Sequence, residues 1–206
     1  MTTKALIFDY DGVMTFNDNR DEDYARAARA LGLSVEELYQ RLWETDGWQR
    51  VKRGQIDEAD FWRAALPLVG MAPADAPYGP LAFLIKERLD PAMLDLTRRL
   101  KPHFQLALLS NATLGYEPRW EFFELPTIFD VMVNSARVGL AKPDAEIYHL
   151  TLEWLGRPPD ECLFIDDKPR NVIAAEALGI PSIVFTTAAD LEVELERRGI
   201  LAPEIA

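Results

Sequence analysis

The chain has one cysteine, Cys162, and only two histidines, His103 and His149. An internal disulfide is therefore excluded, and a thiolate–histidine zinc site lacks the ligands it needs. Cys162 sits in an apolar strand pattern and reads as a small buried hydrophobe, compatible with a reducing compartment. No apolar run reaches the length of a membrane span, and Met1-Thr-Thr-Lys4 leads straight into a strand pattern with no room for a signal peptide, so a cytoplasmic location is expected. Basic residues are also scarce. Against 34 acidic residues stand 22 lysines and arginines, a net charge of -12, which repels nucleic acid and anionic membranes and leaves any anionic substrate to be held by local charges. Carboxylates are the abundant reactive groups, and at 206 residues there is enough chain for one domain with an insertion or for two small domains.

The stretch Ala5-Leu-Ile-Phe-Asp9-Tyr-Asp11-Gly12 organises the rest. Its apolar start predicts a buried parallel strand that delivers two acids to its carboxyl end, where open α/β sheets bind ligands. Asp11 lies past the apolar run, so the chain has to turn at Gly12 if both acids are to serve one site. Taken alone, this motif reads equally well as an Asx-rich turn.

Downstream, the pattern is helical over about 21–32, then from the capping box Ser34-Val-Glu-Glu37 to about Thr45. A further helix is expected from the cap Asp57 through Phe61, Trp62, Ala65 and Leu66, then a proline-rich stretch from Pro67 to Pro80 and a helical run over 81–89. Trp43, Trp48 and Trp62 read as the apolar core of this insert. Strand–helix alternation resumes at Asp90-Pro91, which opens a helix to about Leu100. Strands are predicted at Gln105–Leu109, Val131–Val133, Cys162–Ile165 and Ser182–Phe185, with helices at about 145–155, 172–178 and 190–198. This predicts an α/β fold, a Rossmann-like parallel sheet sandwiched by helices, with residues 1–15 and 91–206 as the core domain and 16–90 as an inserted helical cap domain.

The strand ends are polar in complementary ways. Ser110-Asn111 offers a hydroxyl and a backbone N–H to phosphate oxygens, Lys142 brings a point charge just before a helix, and Asp166-Asp167 supplies hard oxygen ligands suited to Mg²⁺. Each has a duller reading by itself, as a helix cap or a solvated side chain. In this order they make a phosphoryl site.

The ordered set Asp9-Tyr-Asp11-Gly-Val, Leu109-Ser110-Asn111, Lys142-Pro143 and Asp166-Asp167-Lys-Pro-Arg-Asn171 resembles the haloacid dehalogenase superfamily. The helical insert is similar to the cap of the subfamily that holds bacterial sugar-phosphate phosphatases and the phosphatase domain of soluble epoxide hydrolases. The resemblance implies that Asp9 is the nucleophile and Asp11 the general acid/base, with Ser110 and Lys142 holding the transferred phosphoryl group. It implies that Asp9, the Asp11 carbonyl, Asp166 and Asp167 hold Mg²⁺, Asp167 being preferred as direct ligand, and that Asn171 orders Lys142 or the acids. It also implies that Arg53, in the loop Val51-Lys-Arg-Gly-Gln55, faces the substrate's leaving group. The expected activity is hydrolysis of a small phosphorylated metabolite; a phosphomutase, a 2-haloacid dehalogenase and a non-catalytic binding protein are the alternatives. A dehalogenase needs neither the metal nor the second acid, and this chain has the residues for both.

Overall fold

The computed structural model describes residues 2–15, 20–72 and 88–201. Five parallel strands, β1 (Ala5–Phe8), β2 (Gln105–Ser110), β3 (Val131–Asn134), β4 (Cys162–Asp166) and β5 (Ser182–Val184), form one sheet in the order β3-β2-β1-β4-β5. The central strand β1 is buried along its whole length, which is why its sequence is unbroken apolar rather than alternating.

The pleat divides the core into two layers. Leu6, Phe8, Leu106, Leu108, Leu163 and Ile165 pack on one face against helices α5 (Pro91–Leu100) and α10 (Ala188–Arg197). Ala5, Ile7, Ala107, Leu109, Cys162 and Phe164 pack on the other against α8 (Ala145–Leu155) and α9 (Pro169–Ala177). Short helices α6 (Glu117–Phe122) and α7 (Ser135–Val138) follow the ends of β2 and β3. The predicted α/β sandwich is what the chain forms.

Between β1 and α5 lie α1 (Arg20–Leu31), α2 (Val35–Trp43), α3 (Asp46–Val51) and α4 (Glu58–Ala65), which enclose a third apolar cluster of their own. Trp62 is buried in it, and Trp43 stands 4.8 Å from Trp48 and 5.9 Å from Trp62 between ring centres. The Ser34 capping box closes from both sides: the Ser34 N–H donates to Glu37 and the Glu37 N–H donates to the Ser34 hydroxyl. Helix α2 ends two residues before the expected Thr45, because that threonine accepts from the Trp48 N–H and starts α3 instead. The helical run expected over 81–89 lies, but for its last two residues, outside the described residues. Thr15 and Leu89 form an antiparallel bridge, and the Asp90 N–H donates to the Met14 carbonyl at 2.9 Å, so the outgoing and returning chain run side by side. No helix among the described residues is long and apolar enough to cross a membrane.

Candidate active site

Strand register brings the reactive residues to one edge. Phe8 pairs with Leu108 on one side and Ile165 on the other, so Asp9, Ser110 and Asp166 emerge together at the carboxyl ends of β1, β2 and β4. The Asp9 N–H donates to the Ile165 carbonyl at 2.9 Å, and the Tyr10 N–H donates to Asp9 Oδ1 at 2.7 Å.

Lys142, 1% exposed, threads into this edge from the segment between α7 and α8. Its ammonium donates to the Leu109 carbonyl at 2.8 Å and to Asp166 Oδ2 at 2.6 Å, and stands 2.8 Å from Asp9 Oδ1. The ammonium thus donates to two oxygens and forms an ion pair with a third. The sequence reading placed this charge near the start of the following helix; the structure folds it back between two acids.

Asp166 is fully enclosed, and other donors complete it. The Asn171 amide donates to both of its oxygens at 2.9 Å, and the Lys168 N–H donates to Oδ1 at 2.8 Å. Tyr148 in turn donates to the Asn171 carbonyl at 2.9 Å, which fixes the turn that presents that amide. Burial works to raise the Asp166 pKa, but Lys142 and then Lys168, through its N–H and its charge, carry it below the ordinary carboxylate value. At Asp9 the balance is opposite: burial and then the neighbouring Asp166 push it up to about 7, against the pull of Lys142 and Lys168. Asp167 is more open than Asp166, with 17% of its side chain exposed. One oxygen from each of Asp9, Asp166 and Asp167 lies within 4.8 Å of the others. Three hard anionic donors at that spacing fit a small divalent cation such as Mg²⁺.

Gly12 adopts φ +93°, a conformation open to glycine at little cost, and its N–H donates to the Thr15 hydroxyl at 3.0 Å. This is the turn that Asp11 needs. Asp9, Asp11, Asp166 and Asp167 all draw on the ammonium of Lys168 and raise its pKa against the effect of burial, so the four acids share one neighbourhood. Ser110, 1% exposed, ends β2. The Asn111 carboxamide is engaged with the backbone of Lys142, donating to its carbonyl and accepting from its N–H, both at 2.8 Å.

Arg53 is not in the strand-end cluster. Its guanidinium donates to Asp144 Oδ2 at 2.6 Å and to the Gln49 carbonyl and side chain at 3.1 Å. Asp144 occupies the N-cap position of α8 but makes no capping bond with its side chain. A second contact across the same seam went unread in the sequence: Glu58 of α4 accepts from the Thr113 hydroxyl at 2.8 Å and the Gly115 N–H at 3.2 Å. So did Lys52, buried beside Arg53. Adjacent cations in an acidic chain were the available signal.

A family model for the haloacid dehalogenase-like hydrolases matches residues 3–179. Over 208 residues the chain is 28% identical to a sesquiterpene phosphatase of Aspergillus oryzae, covering 95% of this chain and 96% of that protein. It is 27% identical over 216 residues to bifunctional epoxide hydrolase 2 of Sus scrofa, covering 96% of this chain but 39% of that protein's length. A haloacid dehalogenase family enzyme from Bacteroides thetaiotaomicron, solved with magnesium and inorganic phosphate, superposes with a TM-score of 0.69 at 22% identity, covering 89% of this chain and 94% of that one.

Proposed function

The chain belongs to the haloacid dehalogenase-like hydrolases, and on that footing we propose that it is a Mg²⁺-dependent phosphatase acting on a small phosphomonoester. The observation that carries this reading is the trio of acidic oxygens from Asp9, Asp166 and Asp167 gathered within 4.8 Å beside the buried Lys142. Displacement of halide from carbon by Asp9 alone would need neither the trio nor Asp11. The phosphatase among the relatives points the same way.

Mg²⁺ would be held by Asp9, the Asp11 carbonyl and the Asp166–Asp167 pair, of which Asp167 is the more open. Bound there, it supplies positive charge that offsets repulsion between a carboxylate and a phosphate dianion. Asp9 attacks phosphorus, forming an aspartyl–phosphate bond as the bond from phosphorus to the leaving oxygen breaks. Asp11 gives its proton to that oxygen. Asp11 then takes a proton from water, whose oxygen attacks phosphorus and releases inorganic phosphate, restoring the Asp9 carboxylate. Ser110 and Lys142 hold the phosphoryl oxygens, the Lys142 ammonium standing beside Asp9. Asn111 keeps Lys142 in place.

Residues 1–15 and 91–206 make the core in this reading, and 16–90 a cap that closes over the strand ends. A cap of this size suits a small metabolite phosphate. The test is phosphate release from an aryl phosphate and a panel of metabolite phosphates, with and without Mg²⁺, for wild type and Asp9→Asn. Release that needs both Mg²⁺ and Asp9 supports the reading. Equal release by Asp9→Asn, or halide release from a 2-haloacid in place of phosphate release, overturns it.

A further inference from the structure

The loop that leaves β2 carries Ser110 and Asn111, and the residues after them are pinned one by one to the sheet's own connections. Asn111 is clamped to the backbone of Lys142. The Ala112 N–H donates to the Ser135 hydroxyl at 3.0 Å, and that hydroxyl donates back to the Ala112 carbonyl at 3.2 Å. The Thr113 carbonyl accepts from the Asn134 amide at 3.1 Å. Asn134 ends β3 and Ser135 begins α7, so all of these holds come from the core.

One further hold comes from the insert. Glu58, the first residue of α4, sets its Oε2 between the Thr113 hydroxyl at 2.8 Å and the Gly115 N–H at 3.2 Å. Its other oxygen accepts from the Trp62 indole N–H at 3.2 Å, one helical turn on, and Trp62 is buried in the apolar cluster of the insert. The carboxylate is therefore aimed from within the insert before it reaches the loop. On the receiving side Thr113 is 3% exposed and occupies the N-cap position of the short 3₁₀ turn Leu114–Tyr116, yet its hydroxyl makes no capping bond there. A threonine so placed commonly caps the turn that follows. This one serves Glu58 instead. The approach is close enough that a Cβ on Gly115 would lie 2.3 Å from Oε2. Withdrawing the carboxylate would leave the enclosed Thr113 hydroxyl without its acceptor, so the contact favours one joint placement of insert and loop.

We propose that Glu58 is a positioning residue for the phosphoryl site: through Thr113 and Gly115 it completes the support of the loop that presents Ser110 and Asn111, so that the seating of the insert sets the grip on the transferred phosphoryl group. The proposal rests on the phosphatase reading and adds to it a residue that acts through the loop, not on the substrate. A contact between insert and leaving group would be blind to inorganic phosphate, which has no leaving portion. Support of the phosphoryl loop would not be.

Inorganic phosphate is therefore the probe. Its calorimetric binding to the whole protein with Mg²⁺ should weaken about tenfold in Glu58→Ala, since a small displacement of a positioned group is costly. Thr113→Val should weaken it to a similar degree, while Thr113→Ser, which keeps the hydroxyl, should bind as the wild type does. The double variant Glu58→Ala/Thr113→Val should be little worse than either single one, because both cut the same link. In turnover, kcat/KM should fall by a similar factor for an aryl phosphate and for a sugar phosphate. Unchanged phosphate affinity in Glu58→Ala, losses that multiply in the double variant, or a defect confined to one leaving group overturns the inference. Should Glu58→Ala not fold, Thr113→Val beside Thr113→Ser decides it by the same measurement. A wild type that neither binds phosphate nor hydrolyses a phosphate ester overturns the phosphatase reading, and this inference with it. A wild type that does both while Glu58→Ala keeps its affinity overturns this inference alone.

Discussion

Asn111 and Lys142, 31 residues apart, hold each other twice: the carboxamide of one donates to the carbonyl of the other and accepts from its N–H, each at 2.8 Å. A side-chain amide here does the work of a strand partner for a backbone that belongs to no strand. The ammonium that Lys142 carries into the acids is aimed by this clamp.

Asn111→Ala should therefore lower activity without touching any group that meets phosphorus in the proposed reaction. The expected fall in kcat is about tenfold to a hundredfold, since a small misplacement at a reacting centre is costly. Loss of stability should be about 1–3 kcal/mol, from two backbone groups left unmatched. Denaturant unfolding beside steady-state kinetics checks both, and Asn111→Asp, which keeps the acceptor but not the donor, should fall between.

Removal of the ammonium itself should be more severe. Lys142→Met strands the enclosed Asp166 charge and should cost about 3–5 kcal/mol near neutral pH. Adding Asp166→Asn should recover a large part of that cost, because the stranded charge is gone. The comparison is a double-mutant cycle in urea. A double variant no more stable than Lys142→Met would contradict the reading.

The elevated Asp9 gives a signed dependence on pH. Its folded pKa, about 7, lies above the ordinary 3.8, so its contribution to the stability of the metal-free protein is full below about pH 4 and is lost as pH rises through 7. Metal-free wild type should lose more stability than Asp9→Asn between pH 5 and 8. Mg²⁺ should raise Tm more at pH 8 than at pH 5.5, as the proton and the cation compete for one carboxylate. At a hundred times its dissociation constant the ion would add about 2.7 kcal/mol. Thermal melts with and without chelator across that range decide it.

Gly54→Ala tests the seam between insert and sheet. Glycine is required there twice over, by its φ of +65° and by the Ala136 oxygen that a Cβ would strike at 2.2 Å. The alanine variant should stay folded, lose about 1–3 kcal/mol, and show a KM raised severalfold for every substrate as the insert is pushed off. An unchanged KM would mean that the seam does not shape the bound state.

Much of this was legible because it is written locally. An unbroken apolar run marked β1, polar strand ends marked the candidate site that the strands gather, and Ser34 with Glu37 marked a helix start that forms as expected. What was not legible depends on contacts between distant residues or on weak local signals. Arg53 is in the loop where it was sought, yet its partner Asp144 lies 91 positions away, and nothing near either residue announces the pair. Helices α3, α6 and α7 have six residues or fewer, too short for a period to show, and α6 carries Pro118 in its first turn.

The bridge between Thr15 and Leu89, with Asp90 bonded to Met14, means that the chain leaving β1 and the chain entering α5 are tied together at one place. A graft with that geometry can be lengthened, rebuilt or exchanged without re-registering one strand, because the distance to be closed at its base does not change. A chimera that swaps the intervening helices at this place should carry its donor's taste for leaving groups onto an untouched Asp9.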